Sequence, residues 1–446
     1  MKRYFKKSAL PAAVSLALMG GMGTAGAVVN VQCPGDDGSN GGVAGDAVID
    51  DPTVNPNAKC MHLIAGDSFV NMSDGNPLYT FGFGNQTGTD PANVIGDGIL
   101  DAEWPGPTVE LEEGDEFYLS LTNVGTVIRP DLFDPHTVHF HGFPNAATVF
   151  DGVPEVSISI NMGATLTYYY NIVEPGTYIY HCHVEATEHM EMGMLANLYV
   201  HPAQDATGYD VNGDGAIDAT ELVDTQATRK GGAEANPEGY VYNDNDGTTA
   251  FDVEEPIQIS SMDSNFHDAS LFVQPLPFAL LESTYPQING RGYPDTVVSG
   301  DLPAPTDNTV AVAGHDPGKV TGELDGPVLN NGTPTQTLDS VITVNTGEKL
   351  LLRLSNVSID RFYTLTAQGL PMQIVGTGAR QMRGLTGKNL YRDVASVNFG
   401  GGETHDVIID TTGVAPGTYF LYSTELHQMS NLTQLDGGMI TEIVVN

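Results

Sequence analysis

Apolar and polar residues alternate along much of this chain. TVELEEGDEFYLSLTN (108–123) and ATLTYYYNI (164–172) follow a period of two and are separated by Pro- and Gly-rich turns. Successive side chains on a strand leave opposite faces, so this period predicts short antiparallel strands rather than helices. The class expected is all-β, of sandwich type. The pattern also repeats: VEPGTYIYHCH (173–183) returns as VAPGTYFLYST (414–424), and GDEFYLSLTNV (114–124) returns as GEKLLLRLSNV (347–357). Two similar β-sandwich domains, 76–203 and 254–446, are the economical reading.

Other segments have a different texture. Residues 1–27 place Lys2, Arg3, Lys6 and Lys7 before an uncharged apolar run that ends in Ala25-Gly26-Ala27, the order of a secretory signal peptide. The mature chain is therefore expected to be exported, periplasmic or extracellular, without a membrane anchor. Residues 28–75 read as a Gly/Asp-rich N-terminal extension. Between the sandwiches, 204–253 is rich in Asp, Asn, Gly and Thr and contains DVNGDGAIDATE. That stretch fills an EF-hand-like calcium loop: Asp210, Asn212, Asp214 and Asp218 at positions one, three, five and nine, the Ala216 carbonyl at seven, Glu221 at twelve and Gly215 at the sharp turn.

Charge narrows the partners. Asp and Glu number 56 against 17 Lys and Arg, a formal charge of −39, and removal of the signal takes away four more cations. Such a chain repels nucleic acid and anionic lipid. Of three cysteines, export permits a Cys33–Cys60 disulfide stapling the extension. Cys182 is then unpaired, and metal binding would protect its thiol.

The residues around Cys182 suit a metal. YHCHVEATEHMEMGM (180–194) and DPHTVHFHG (134–142) together hold six histidines. A type 1, blue copper needs a thiolate, two imidazoles and a weak axial thioether. Cys182, His136, His189 and Met194 supply that set, with Met192 an alternative to Met194. Alternation turns His181 and His183 away from Cys182, and His139 and His141 share a face, so two His-x-His pairs converge on a second site.

The His-x-x-His-x-His run at 136–141 and His-Cys-His at 181–183 resemble those of the laccase-like multicopper oxidases, a cupredoxin family. The likeness extends through FDGVP (150–154) and INGRGYPDT (288–296). It implies two cupredoxin-like Greek-key sandwiches. It also implies type 1 ligation by His136, Cys182, His189 and Met194, a type 2 copper on His139, and a type 3 pair on His141, His181 and His183. The activity implied is one-electron oxidation of a small-molecule or metal-ion donor coupled to reduction of dioxygen. Alternatives are a copper nitrite reductase-like enzyme and a blue-copper electron carrier.

Two departures stand out. Cys182 and His189 are seven residues apart where three-domain relatives have five. Aligning the repeats puts Tyr363, Thr366 and Gln368 opposite His136, His139 and His141, and Tyr422, Ser423 and Thr424 opposite His181, Cys182 and His183. The second domain thus lacks the four histidines the family's cluster takes from it. His267 and His427 are weak substitutes, each reading first as an ordinary core or surface histidine. A homo-oligomer that completes the cluster is expected.

Overall fold

The computed structural model describes residues 29–446 apart from 145, 211–213, 215, 217–238 and 308–326. The expected signal segment lies outside the described residues, as do Asn212, Asp218 and Glu221 of the calcium loop. Asp210, Asp214 and Ala216 are described, and the Ala216 N–H donates to Asp214 Oδ1 at 2.9 Å.

Two β-sandwiches account for most of the chain. The first packs one four-stranded sheet (Pro77–Asn85, Ala58–Asn71, Glu116–Gly125, Thr165–Asn171) against another (Val109–Glu112, Leu195–His201, Gly176–His181, His139–Phe140). Alternate residues Phe117, Leu119 and Leu121 enter a shared core with Leu63, Tyr168, Tyr180 and Leu198, as the period of two dictates. The second packs a seven-stranded sheet containing Val253–Met262, Lys349–Asn356 and Thr404–Asp410 against five strands that include Tyr363–Ala367 and Gly417–Ser423.

Two expected boundaries need correction. Ala58–Asn71, placed within the 28–75 extension, is a 14-residue strand that pairs antiparallel with Pro77–Asn85 and parallel with Glu116–Gly125. Leu63 and Ala65 face the main core while Ile64 packs with Val29 and Val94 on the other side. Burial on both faces erases the alternation that marks a strand. Cys33 is disulfide-bonded to Cys60 of this strand, with Cα atoms 5.9 Å apart.

The end of the 204–253 insert likewise belongs to the second sandwich. Gly239–Tyr240 pairs with Ala250–Phe251, and Val241, Tyr242 and Phe251 pack with Leu351, Val375 and Ile408. The acidic residue between them shapes a turn: Asp244 Oδ2 accepts from the Thr249 N–H and hydroxyl, both at 2.6 Å.

The sandwiches are joined by apolar and ionic contacts. Trp104, Ile179 and Leu195 of the first meet Met262, Tyr285 and Val357 of the second. Beside them the buried Arg353 guanidinium pairs with Glu254 and lies 3.6 Å from Asp406. Asp406 accepts from the Thr177 hydroxyl at 2.5 Å. Thr177 lies on Gly176–His181, so the second domain grips the strand that delivers Cys182.

Candidate metal centre

Residues from two loops meet at one end of the first sandwich. Cys182 Sγ lies 3.2 Å from His189 Nδ1 and 3.8 Å from His136 Nδ1, all buried. The helix Ala186–Met192 takes up the seven-residue spacing and delivers His189. Gly193 ends it at φ 122°, where a Cβ would lie 2.5 Å from the Phe81 carbonyl oxygen. The Met194 carbonyl accepts from the Cys182 N–H at 3.0 Å, which seats the two residues side by side. Met192 Sδ packs elsewhere, 3.4 Å from the Ser270 Oγ, whose proton goes to the His267 carbonyl at 2.8 Å.

Electrostatics favour neutral ligands here. Burial drives the His136 imidazole well below its ordinary value and His189 down to about 4, and it pushes the Cys182 thiol up to about 11. A cation taking the thiolate must therefore displace that proton.

A second cluster forms on the other side of the Cys182 strand. His139 pairs with His181 across the antiparallel ladder, and the candidate ligand atoms of His139, His141 and His181 all lie within 4.8 Å of one another. Each Nδ1 faces a carbonyl: Asp151 for His139 at 2.5 Å, Gly402 for His141 at 3.3 Å, Cys182 for His181 at 2.7 Å. A carbonyl only accepts, so each Nδ1 carries the proton and each Nε2 keeps its lone pair. His141 Nε2 and His181 Nε2 are 2.9 Å apart. Two facing lone pairs repel, and a cation between them removes the conflict. Burial, then the neighbouring imidazoles, holds His181 down at about 3. His183 is outside this compact trio, its ring centroid 5.0 Å from His139 and 5.7 Å from His181.

A family profile described as multicopper oxidase matches residues 91–205, and a second of the same description matches 290–446. The chain belongs to the multicopper oxidase family. Membership implies copper. This multicopper oxidase is 36% identical over 96 residues to an iron transport multicopper oxidase of Gibberella zeae, covering 21% of this chain and 14% of that protein. It is 30% identical over 129 residues to a laccase of Emericella nidulans, covering 28% of this chain and 19% of the laccase. The chain thus spans only a small part of these curated relatives. Its fold is that of a blue copper oxidase from Nitrosomonas europaea, with a TM-score of 0.55 and 19% identity over 87% of this chain and 86% of that one.

The second sandwich of this multicopper oxidase carries the matching strand pair without ligands. Thr366 pairs with Tyr422 as His139 pairs with His181. The Tyr422 hydroxyl donates to Gln368 Oε1 at 2.9 Å where the first domain has His181 facing His141. Neither substitute histidine reaches the cluster within the chain. His267 has both ring nitrogens against carbonyls, Tyr79 at 2.5 Å and Glu191 at 3.1 Å, and His427 is exposed beside Glu425.

What the second domain does bring is backbone. Gly402 reaches His141, and Ser358–Phe362 line an open cleft of about 500 Å³ with His141, His181 and His183. Gly402 has φ +86°, and a Cβ there would lie 2.8 Å from the His141 ring. The run Gly400-Gly401-Gly402 was the available signal for such an approach.

Proposed function

We propose that the chain is an exported, laccase-like copper oxidoreductase that couples one-electron oxidation of a donor to reduction of dioxygen. One observation carries this reading: His181 and Cys182 are consecutive, yet one lies among the imidazoles of the second cluster and the other among those of the first. His136, Cys182, His189 and Met194 would hold type 1 copper; His139, His141, His181 and His183 would hold type 2 and type 3 copper. Copper, when bound, supplies the one-electron chemistry and the oxygen reduction. The protein contributes the rest. Cys182 links the two sites through its own backbone, and its burial excludes water. The carbonyls of Asp151, Gly402 and Cys182 fix the tautomers of the second cluster. The Met192 sulfur packs against Ser270 Oγ, which supports Met194 as the axial thioether.

A nitrite reductase-like reading has one specific support. His139, His141 and His181 by themselves form a compact three-imidazole set suited to a single copper, and His183 stands apart. A copper-containing nitrite reductase of Neisseria meningitidis is 32% identical over 121 residues, covering 26% of this chain and 29% of that protein. Counting copper separates the readings. The oxidase reading expects four per functional unit, the reductase reading two and an electron carrier one; a count of one without oxygen uptake would retire the oxidase. The same preparation analysed by light scattering tests the expected homo-oligomer. The calcium assignment to Asp210, Asn212, Asp214, Ala216, Asp218 and Glu221 rests on loop spacing and is tested by calcium titration.

A further inference from the structure

The type 1 ligand set has no open edge. Cys182, His189 and Met194 are fully buried and His136 is nearly so. His189 Nε2, the ring nitrogen that does not face Cys182, is buried without a hydrogen-bond partner. The seal is supplied partly by the second domain. The helix Ser264–Ser270 and the following residues 271–281 cross onto the first sandwich as a cover.

That cover is anchored at four places close to the ligands. His267 contacts the carbonyls of Tyr79 and Glu191, the latter two residues beyond His189. Ser270 Oγ lies 3.4 Å from Met192 Sδ, and Phe266 enters the same core as Cys182 and Met194. Arg129 of the first domain donates to the Ser270 carbonyl and, at 3.1 Å, to that of Phe272. These contacts bury the end of the helix that carries His189 beneath the cover.

The outside of the cover is apolar. Phe272 is 65% exposed, Val273 81% and Leu280 77%, with Phe278 beside them. Phe133, 68% exposed, stands on the adjoining loop that Arg129 ties to the cover. Single exposed apolar residues are ordinary, but five on two joined loops over one buried redox site form a contact surface. The flank is acidic: Arg129 is already paired with Asp131, which leaves Asp134 and Glu185 uncompensated, while burial and these neighbours push the Glu188 carboxyl up to about 7 and leave it partly charged.

We infer that this face docks a basic one-electron redox protein, whose cofactor edge meets the apolar patch while its lysines meet the acidic flank. The inference rests on the copper reading of the buried site. An apolar centre within a charged rim gives an interface its affinity and its partner choice, and the chain's charge of −39 steers a cationic partner toward it. Electron chemistry points the same way. A docked redox protein gives up one electron and no proton. It therefore needs no base on the cover itself, whose outer face presents Phe272, Val273, Phe278 and Leu280.

The test uses the full chain with ferrocytochrome c as the basic probe. Calorimetric titration of the metal-free protein should detect binding that weakens at least about tenfold between low and moderate salt. The Phe272→Ser/Leu280→Ser double variant should weaken it about tenfold again. In the copper-loaded protein under anaerobic conditions, ferrocytochrome c should bleach the visible absorption faster than hydroquinone does, and the double variant should keep its colour but lose that advantage. Binding that is absent, or indifferent to salt and to the double variant, in a protein that takes up copper and is blue would overturn the docking inference. So would a dimer that the double variant converts to monomer, which would make a second copy the occupant. A colourless protein that takes up no copper would instead sink the copper reading, and calorimetry on the metal-free chain would still report on docking.

Discussion

Both sandwiches carry the same antiparallel strand pair, and they put it to different uses. In the first, His139 faces His181 and the next residue, Cys182, turns into a pocket with His136 and His189. In the second, Thr366 faces Tyr422 and the next residue, Ser423, is buried beside Leu365. The apolar cores behind the two pairs are built alike, from Leu119, Leu121 and Tyr180 in one and Leu352, Leu354 and Leu421 in the other. The pattern that makes the sandwich is therefore independent of the residues that make the site. A domain can lose every ligand at the end of the pair and keep its fold when other side chains fill the places, as the buried Tyr363 and Ser423 do opposite His136 and Cys182.

The comparison can be broken most sharply at its centre. Cys182→Ser should abolish the intense thiolate-to-copper absorption, while unfolding shifts by less than about 2 kcal/mol. Ser423→Cys, the mirror change, should create no such colour, because Tyr363 stands where the ligand His136 stands in the first domain. A blue Ser423→Cys protein carrying Cys182→Ser would show that the fold alone makes the site.

Protonation should distinguish the domains next. A buried imidazole whose folded pKa lies below its unfolded value of about 6.5 is neutral in the native state, so its contribution is intact above pH 6.5 and is lost as pH falls toward the folded value. His189, held down at about 4, should make the metal-free protein lose about 3 kcal/mol relative to its His189→Phe variant between pH 6.5 and pH 4. The same comparison with His405→Phe in the second sandwich should give less, since Asp406 and Glu403 oppose the burial there. Urea unfolding across that window measures both, and equal slopes would contradict the difference.

Gly402→Ala probes the contact that the ligand-free domain makes with the cluster. The added Cβ meets the His141 ring at a residue held at φ +86°. Copper affinity at the second cluster should fall about 10- to 100-fold while the visible absorption of the first site persists, as read by chelator competition. The smallest effect belongs to Tyr422→Phe. Its hydrogen bond to the Gln368 side chain is exposed, so thermal unfolding should change by less than about 1 kcal/mol and copper content should not change. Loss of copper on that substitution would show that the second pair still serves the first.

Local pattern determined a good deal by itself. Alternation over 108–123 and 164–172 marked strands, the repeated segments marked two sandwiches, and the spacing of His139, His141, His181 and Cys182 marked side chains that meet, with His183 left outside the compact trio. Each of these depends on neighbours a few residues away, which periodicity expresses directly. The tertiary structure decided everything that depends on distant partners. It buried both faces of Ala58–Asn71 and so hid that strand's period. It assigned the Met192 sulfur to Ser270, set both nitrogens of His267 against carbonyls of the first domain, and brought Gly402 to His141 across 261 positions. It also laid residues 264–281 over the buried ligands. Contacts of this kind arise when two finished surfaces dock, and no short-range period in the chain encodes where a surface will land.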